Sequence, residues 1–251
     1  MDLFNLKGKT AIVTGGNRGL GSGMTEGLCR AGASVVIFAS SDSVYKAAKE
    51  FQAKGYNVTG IKCDLADEKS IKEAFEKALE TLGKLDIIVN NAGIQRRNKC
   101  EEFSLEDWDD VLNVNLRAVF TLCQLAGNHM LEKGHGKIIN VASLLSYFGG
   151  FTVPAYAAAK GGVSQLTKAL SNEWASRGIN VNAIAPGYMA TEMNTKLIED
   201  PKRYGEISAR IPAGRWGTPE DLMGITVFLA SDASNYLSGA TIPVDGGYLG
   251  K

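Results

Sequence analysis

Seven short apolar runs, at 10–14, 34–39, 56–61, 85–90, 137–141, 179–184 and 240–244, recur along the chain, and between most of them the apolar spacing changes to that of a helix. Ile71, Ala74, Phe75, Ala78, Leu79 and Leu82 fall at i, i+3, i+4, i+7, i+8 and i+11, one face of an amphipathic helix that Gly83 stops. Strands that alternate with helices cannot close as tight hairpins. Each helix has to cross back over the sheet, so the strands run parallel and the helices cover both faces. The run at 85–90 is almost free of polar residues, as a strand buried on both faces requires. The expected fold is therefore α/β, a single-domain doubly wound parallel sheet (Rossmann fold) of about seven strands with helices on both faces. No Pro/Ser-rich linker or charge run divides the 251 residues, so 1–251 reads as one domain. Residues 188–217, with two prolines and no clean period, read as a loop or lid.

Charge narrows the function classes. Lys and Arg number 27 and Asp and Glu number 27, so nothing global attracts nucleic acid or an anionic membrane, and any anion recognition has to be local. Cys29, Cys63, Cys100 and Cys123 form no CxxC pair and only two histidines accompany them, which points to reduced thiols and no metal site. No long apolar core of a signal peptide or membrane span is present, and a soluble cytoplasmic protein is expected.

In a doubly wound sheet, ligands bind beyond the carboxyl ends of the strands, where the strand order reverses. Those ends carry the polar residues of interest. The first strand breaks into Thr14-Gly-x-x-x-Gly-x-Gly21, glycines that let backbone approach a ligand, followed by a helix whose free N–H groups favour a phosphate. A bare strand-to-helix joint is the plainer alternative. Ala39 to Ser41, Asp64, Asn90-Asn-Ala-Gly93, Ser143 and Pro186-Gly187 lie at further strand ends. Tyr156 and Lys160 are four apart on a helix with Pro154 in its first turn, so they share a face about 6 Å apart along the axis. A phenol beside a fixed ammonium can move a proton. An exposed i,i+4 pair is the plainer reading of the same spacing. A long helical stretch from Ser104 to about Met130 holds Asn113 and Asn115, amides that are costly to bury unless bonded. Arg96 and Arg97 follow Gly93 closely and are able to hold a carboxylate through paired charge-assisted bonds, although arginines in loops are commonplace. Arg203, Arg210 and Arg215 lie in or next to 188–217.

Taken in order, the Thr14 to Gly21 motif, Asp64, Asn90 to Gly93, Asn115, Ser143, Tyr156-x-x-x-Lys160 and Pro186-Gly187 with Thr191 resemble the short-chain dehydrogenase/reductase family over essentially the whole chain. The resemblance implies a nicotinamide cofactor and a homotetramer. It implies catalytic roles for four residues: Tyr156 as proton donor and acceptor, Lys160 lowering its pKa and holding the nicotinamide ribose, Ser143 polarising the substrate carbonyl, and Asn115 supporting a water linked to Lys160. The cofactor contacts it implies are Gly15, Asn17, Arg18, Gly19, Leu20, Gly21, Ser40, Ser41, Asp64, Leu65, Asn91, Ala92, Gly93, Pro186, Gly187 and Thr191, with Tyr156 and Lys160. The second strand ends in Phe38-Ala39-Ser40-Ser41-Asp42, with no acid at its tip to repel a 2′-phosphate, and Arg18 in the glycine loop is placed to reach one. NADP(H) is therefore expected ahead of NAD(H), which Asp42 would serve. Ile94-Gln-Arg-Arg97, Gly187-Tyr-Met-Ala-Thr191 and the stretch from Arg210 to Asp221 look like the sugar-acid branch of the family. That branch implies hydride exchange with a secondary alcohol or ketone of a hexonate of the 2-keto-3-deoxygluconate or gluconate type, held by Arg96, Arg97, Ser143 and Tyr156. A 3-oxoacyl carrier-protein reductase and a catalytically idle nucleotide-binding module are the alternatives.

Overall fold

The computed structural model describes residues 2–251, apart from the side chains of Asp2, Met193 and Lys196. Its strands are β1 (Thr10–Thr14), β2 (Ser34–Ala39), β3 (Val58–Lys62), β4 (Ile87–Asn90), β5 (Gly136–Val141), β6 (Ile179–Pro186) and β7 (Thr241–Val244). They form one parallel sheet in the order β3-β2-β1-β4-β5-β6-β7. The helices are α1 (Gly19–Arg30), α2 (Ser43–Ala53), α3 (Glu68–Leu82), α4 (Leu105–Leu112), α5 (Ala118–Lys133), α6 (Pro154–Trp174), α7 (Thr195–Ile198), α8 (Pro201–Ser208) and α9 (Met223–Ala230).

The apolar runs are nearly continuous because alternate residues serve two separate cores. Ile12, Val36, Ile88 and Ile138 face Phe75, Leu122, Met130 and Trp174 on α3, α5 and α6. Their neighbours Val13, Ile37, Val89 and Ile139 face Met24, Leu28, Phe51 and Leu229 on α1, α2 and α9. Each such side chain, fully removed from water, stabilises the fold by roughly 1.5–3 kcal/mol. Among the described residues no helix is long and apolar enough to cross a membrane. The four cysteines are free thiols, and burial pushes Cys29, Cys63 and Cys123 up to about 12.

Three local departures from the sequence reading have physical causes. Residues 85–86 are not strand, because the Asp86 carboxylate accepts from the Thr10 N–H at 2.9 Å and the Thr10 hydroxyl at 3.1 Å and pins the start of β1 instead. The long helix at 104–130 is divided. After α4 the chain makes a π turn, Asn113–Arg117, in which the Ala118 N–H reaches back five residues to the Asn113 carbonyl before α5 begins. Residues 188–217 are also more regular than their lack of period implies. They hold a 3-10 turn (Glu192–Asn194), α7 and α8, helices too short to show a period, and a small core of Ile207, Ile211 and Trp216 packed with Leu144 and Tyr248. Tyr204 stacks on Trp216 at 5.6 Å and Tyr188 meets it edge-on at 5.4 Å.

The order reverses between β1 and β4, and a dedicated clasp closes that seam. The Thr14 hydroxyl accepts from the backbone N–H groups of Asn91 and Ala92, both at 3.0 Å, while the Asn91 amide donates to the Thr14 carbonyl at 2.9 Å.

Candidate active site

The glycine loop lies directly on this seam. Gly15 and Gly19 have φ of +65° and +52°, and a Cβ on Gly21 would lie 2.1 Å from the Gly15 oxygen and 2.5 Å from the Asn91 amide nitrogen. No residue with a side chain fits at Gly21. The result is a bare backbone cradle opening onto the first turn of α1, where Leu20 and Gly21 present N–H groups, the arrangement that suits a phosphate. At the mouth of β2 the Asn17 amide donates to Ser43 Oγ at 3.0 Å, and Ser41 and Ser43 share a hydrogen bond of 2.8 Å. Asp42 is occupied by Lys62 at 3.0 Å, and Ser40 is exposed. These groups fit a dinucleotide with a phosphorylated ribose. Asp64, at the end of β3, accepts from the Ala66 N–H at 2.9 Å and closes its own turn, with Leu65 between them. Gly187, after Pro186 at the end of β6, packs so tightly on Asp245 that a Cβ would come within 2.6 Å of its Cα. Thr191 sits beside Gly19.

Across the seam, α6 brings up Tyr156 and Lys160. Lys160 is 3% exposed, and its Nζ donates to the Val141 carbonyl at 2.6 Å and lies 5.6 Å from the centre of the Tyr156 ring. Burial brings the ammonium down to about 8. Ser143, which lies just past β5 and caps the turn Leu144–Ser146, is close enough to the Tyr156 hydroxyl to favour its charged form. Burial raises the phenol's pKa, while the Ser143 hydroxyl and the Arg97 guanidinium pull the other way. The reading in which Lys160 lowers the phenol below its ordinary value is therefore corrected: the ammonium is turned toward Val141, and desolvation dominates. Asn115 is fully buried within the π turn. Its Oδ1 accepts from the Ile94 N–H and its Nδ2 donates to the Ile94 carbonyl, both at 2.8 Å. The amide thus fixes the chain that leaves β4, directly beside Gly93, where a Cβ would lie 3.0 Å from Asn115 Oδ1 and 3.9 Å from Lys160 Nζ.

The adjacent arginines part company. Arg96 turns back to α4 and pairs with Asp107 and Asp110, each at 3.2 Å, so it does not face the reacting groups. Arg97 has no acidic partner among the described residues. Desolvation and the like charge of Arg203 lower its pKa, and the phenols of Tyr188 and Tyr156 are close enough to act on it. Arg210 lies over the Tyr248 ring and Arg215 pairs with Asp221, so neither is a free cation.

Two supporting features escape a motif-based reading. Beneath the strand ends, the Asn90 amide donates to Asn140 Oδ1 at 2.9 Å, Asn140 donates to Thr167 Oγ1 at 3.0 Å, and Thr167 donates to the Val163 carbonyl. This buried chain ties β4, β5 and α6 together below Tyr156 and Lys160; the available signal was an asparagine inside the apolar run of β5. The second feature is Glu192, whose carboxylate holds Arg18 at 2.8 Å.

The family model described as enoyl-(acyl carrier protein) reductase matches residues 15–249. A 2-dehydro-3-deoxy-D-gluconate 5-dehydrogenase of Bacillus subtilis is 48% identical over 100% of this chain and 98% of its own length. The gluconate 5-dehydrogenase of Gluconobacter oxydans is 41% identical over 98% and 96%. Among solved structures, a gluconate 5-dehydrogenase from Burkholderia cenocepacia in complex with NADP and tartrate superposes with a TM-score of 0.96 at 40% identity, covering 100% of this chain and 98% of that one.

Proposed function

The chain belongs to the short-chain dehydrogenase/reductase family, and from that premise we propose that it transfers a hydride between a nicotinamide cofactor and a secondary alcohol or ketone of a sugar acid of the 2-keto-3-deoxygluconate or gluconate type. The observation that carries the substrate class is Arg97: a guanidinium with no acidic partner among the described residues lies near enough to the Tyr156 phenol for each to act on the other's charge, and a substrate carboxylate would supply the missing partner. When bound, the nicotinamide supplies or takes the hydride. The chain's own residues do the rest. Ser143 donates to the carbonyl oxygen and holds it against Tyr156. Tyr156 gives that oxygen its proton in reduction and takes the hydroxyl proton in oxidation. Lys160, a buried cation on the same helix face, holds the nicotinamide ribose beside Tyr156, and Asn115 positions the backbone at Ile94 that leads to Arg97. Gly15 to Gly21, Asn91 to Gly93, Pro186-Gly187 and Thr191 hold the dinucleotide. Ser40, Ser41 and Asn17, with Asp42 engaged by Lys62, favour NADP(H) over NAD(H). The whole chain acts as one catalytic unit with 188–217 as its substrate lid, in a cytoplasmic homotetramer.

A panel of hexonates and their keto-deoxy forms, assayed with both cofactors beside an acetoacetyl thioester, tests this by nicotinamide absorbance. Turnover of the sugar acids with the higher kcat/KM for the phosphorylated cofactor is expected; turnover confined to the thioester would replace the proposal. The two arginines provide a sharper check. Arg97→Gln is expected to raise KM for the acid by more than about tenfold, the loss of one charge-assisted bond, with little effect on an uncharged polyol analogue. Arg96→Gln, whose partners are Asp107 and Asp110, changes KM by less than about threefold. Equal effects of Arg97→Gln on acid and polyol would remove the carboxylate role.

A further inference from the structure

Arg18 and Glu192 lie 174 positions apart and meet at 2.8 Å, joining the glycine loop to the first turn of the 188–217 segment. Their side chains are 74% and 77% exposed, so the bond is open to water and exchangeable, worth about 0–1 kcal/mol. The neighbouring cation, Lys62, is matched by Asp42 at 3.0 Å. The mouth of β2 therefore offers hydroxyls and an amide, from Ser41, Ser43 and Asn17, and its two cations are each already bound to a carboxylate.

We propose that Glu192 is an internal competitor for the anionic group of the cofactor: it holds Arg18 until a ribose 2′-phosphate displaces it, and it thereby sets how strongly the enzyme prefers the phosphorylated dinucleotide. This rests on the NADP(H) reading given above. A phosphate carries more charge than a carboxylate and takes a guanidinium in the same two-pronged way, so the exchange runs toward the phosphate. A ribose 2′-hydroxyl has no charge with which to drive it. The carboxylate thus weakens binding of the phosphorylated cofactor and leaves that of NAD(H) unaffected. The exchange also releases Glu192 from the glycine loop, and with it the start of the segment that closes over the substrate.

The test uses half-cofactors and needs no turnover. Calorimetric titration with adenosine 2′,5′-bisphosphate and with 5′-AMP at low ionic strength is carried out on the wild type, Glu192→Gln, Arg18→Gln and the double variant. Glu192→Gln is expected to tighten the bisphosphate about two- to fivefold, the whole worth of an exposed pair, and to leave 5′-AMP unchanged. Arg18→Gln weakens the bisphosphate by about tenfold and abolishes the gain from Glu192→Gln in the double variant. A bisphosphate affinity that ignores Glu192→Gln, or a shift common to both ligands, overturns the inference, the second outcome making Glu192 a general lid contact. Wild-type protein that binds the bisphosphate no more tightly than 5′-AMP overturns instead the NADP(H) reading beneath it.

Discussion

Tyr156→Phe lowers turnover about 10²–10⁴-fold in both directions and leaves cofactor affinity within a few-fold of wild type. The ring belongs to the cluster of Val111, Ala155 and Ala159, so a phenylalanine keeps the packing and removes one oxygen. The environment of that oxygen is set by two opposing influences: burial against the charged form, and the Ser143 hydroxyl and Arg97 in its favour. The bond made by Ser143 Oγ itself is from the Leu145 N–H, a group that does not exchange a proton with a substrate. Cofactor titration alongside steady-state rates separates loss of the proton from loss of the site. A variant that keeps more than about a tenth of its turnover would show that the proton goes elsewhere.

Lys160→Met separates activity from stability. The ammonium is buried and donates to the Val141 carbonyl, and its pKa falls to about 8, against ~10.4 in the unfolded chain. Between those values the unfolded chain holds more protons than the folded one, so stability rises as the pH climbs from about 8 toward ~10.4. At neutral pH the folded protein carries the cost of the buried charge, on the order of 3 kcal/mol. A methionine fills the same stem volume without charge, and the lost bond to Val141 returns about 1 kcal/mol of that. The variant should therefore be more stable than wild type by about 1–2 kcal/mol near neutral pH, with the gap closing in alkali, while turnover drops by at least about 10²-fold. Denaturant unfolding at several pH values measures the first and absorbance kinetics the second. A less stable variant at neutral pH would make Lys160 a structural residue.

Much of the architecture was legible because its signals are local. β1 and β2 begin and end at the expected residues, since Gly15 and Ser40 change the backbone and side-chain chemistry abruptly. The candidate catalytic residues could be located for the same reason: Ser143, Tyr156 and Lys160 are fixed by one strand end and one helix. What escaped depends on partners distant in sequence. Arg96 and Arg97 are indistinguishable as letters and differ because Asp107 and Asp110 on α4 claim the first. Arg18 reads as a free cation near the second strand until Glu192 comes into contact with it. The Tyr156 shift had the wrong sign because sequence spacing brings Lys160 near but says nothing of desolvation. The break in the long helix was invisible to periodicity; its trace was two asparagines where an apolar face has no use for them.

Counted in residues rather than hydrogen bonds, the π turn is a helix carrying one residue too many. Each residue advances a helix by about 100°, so a single deletion between Trp108 and Asn115 would restore an unbroken helix and rotate α4 relative to α5 by that amount. Asn115 could not then keep both its grip on Ile94 and its place in the helix. A descendant of this chain could thus lose its chemistry by the deletion of one codon while retaining every motif residue by which such enzymes are recognised.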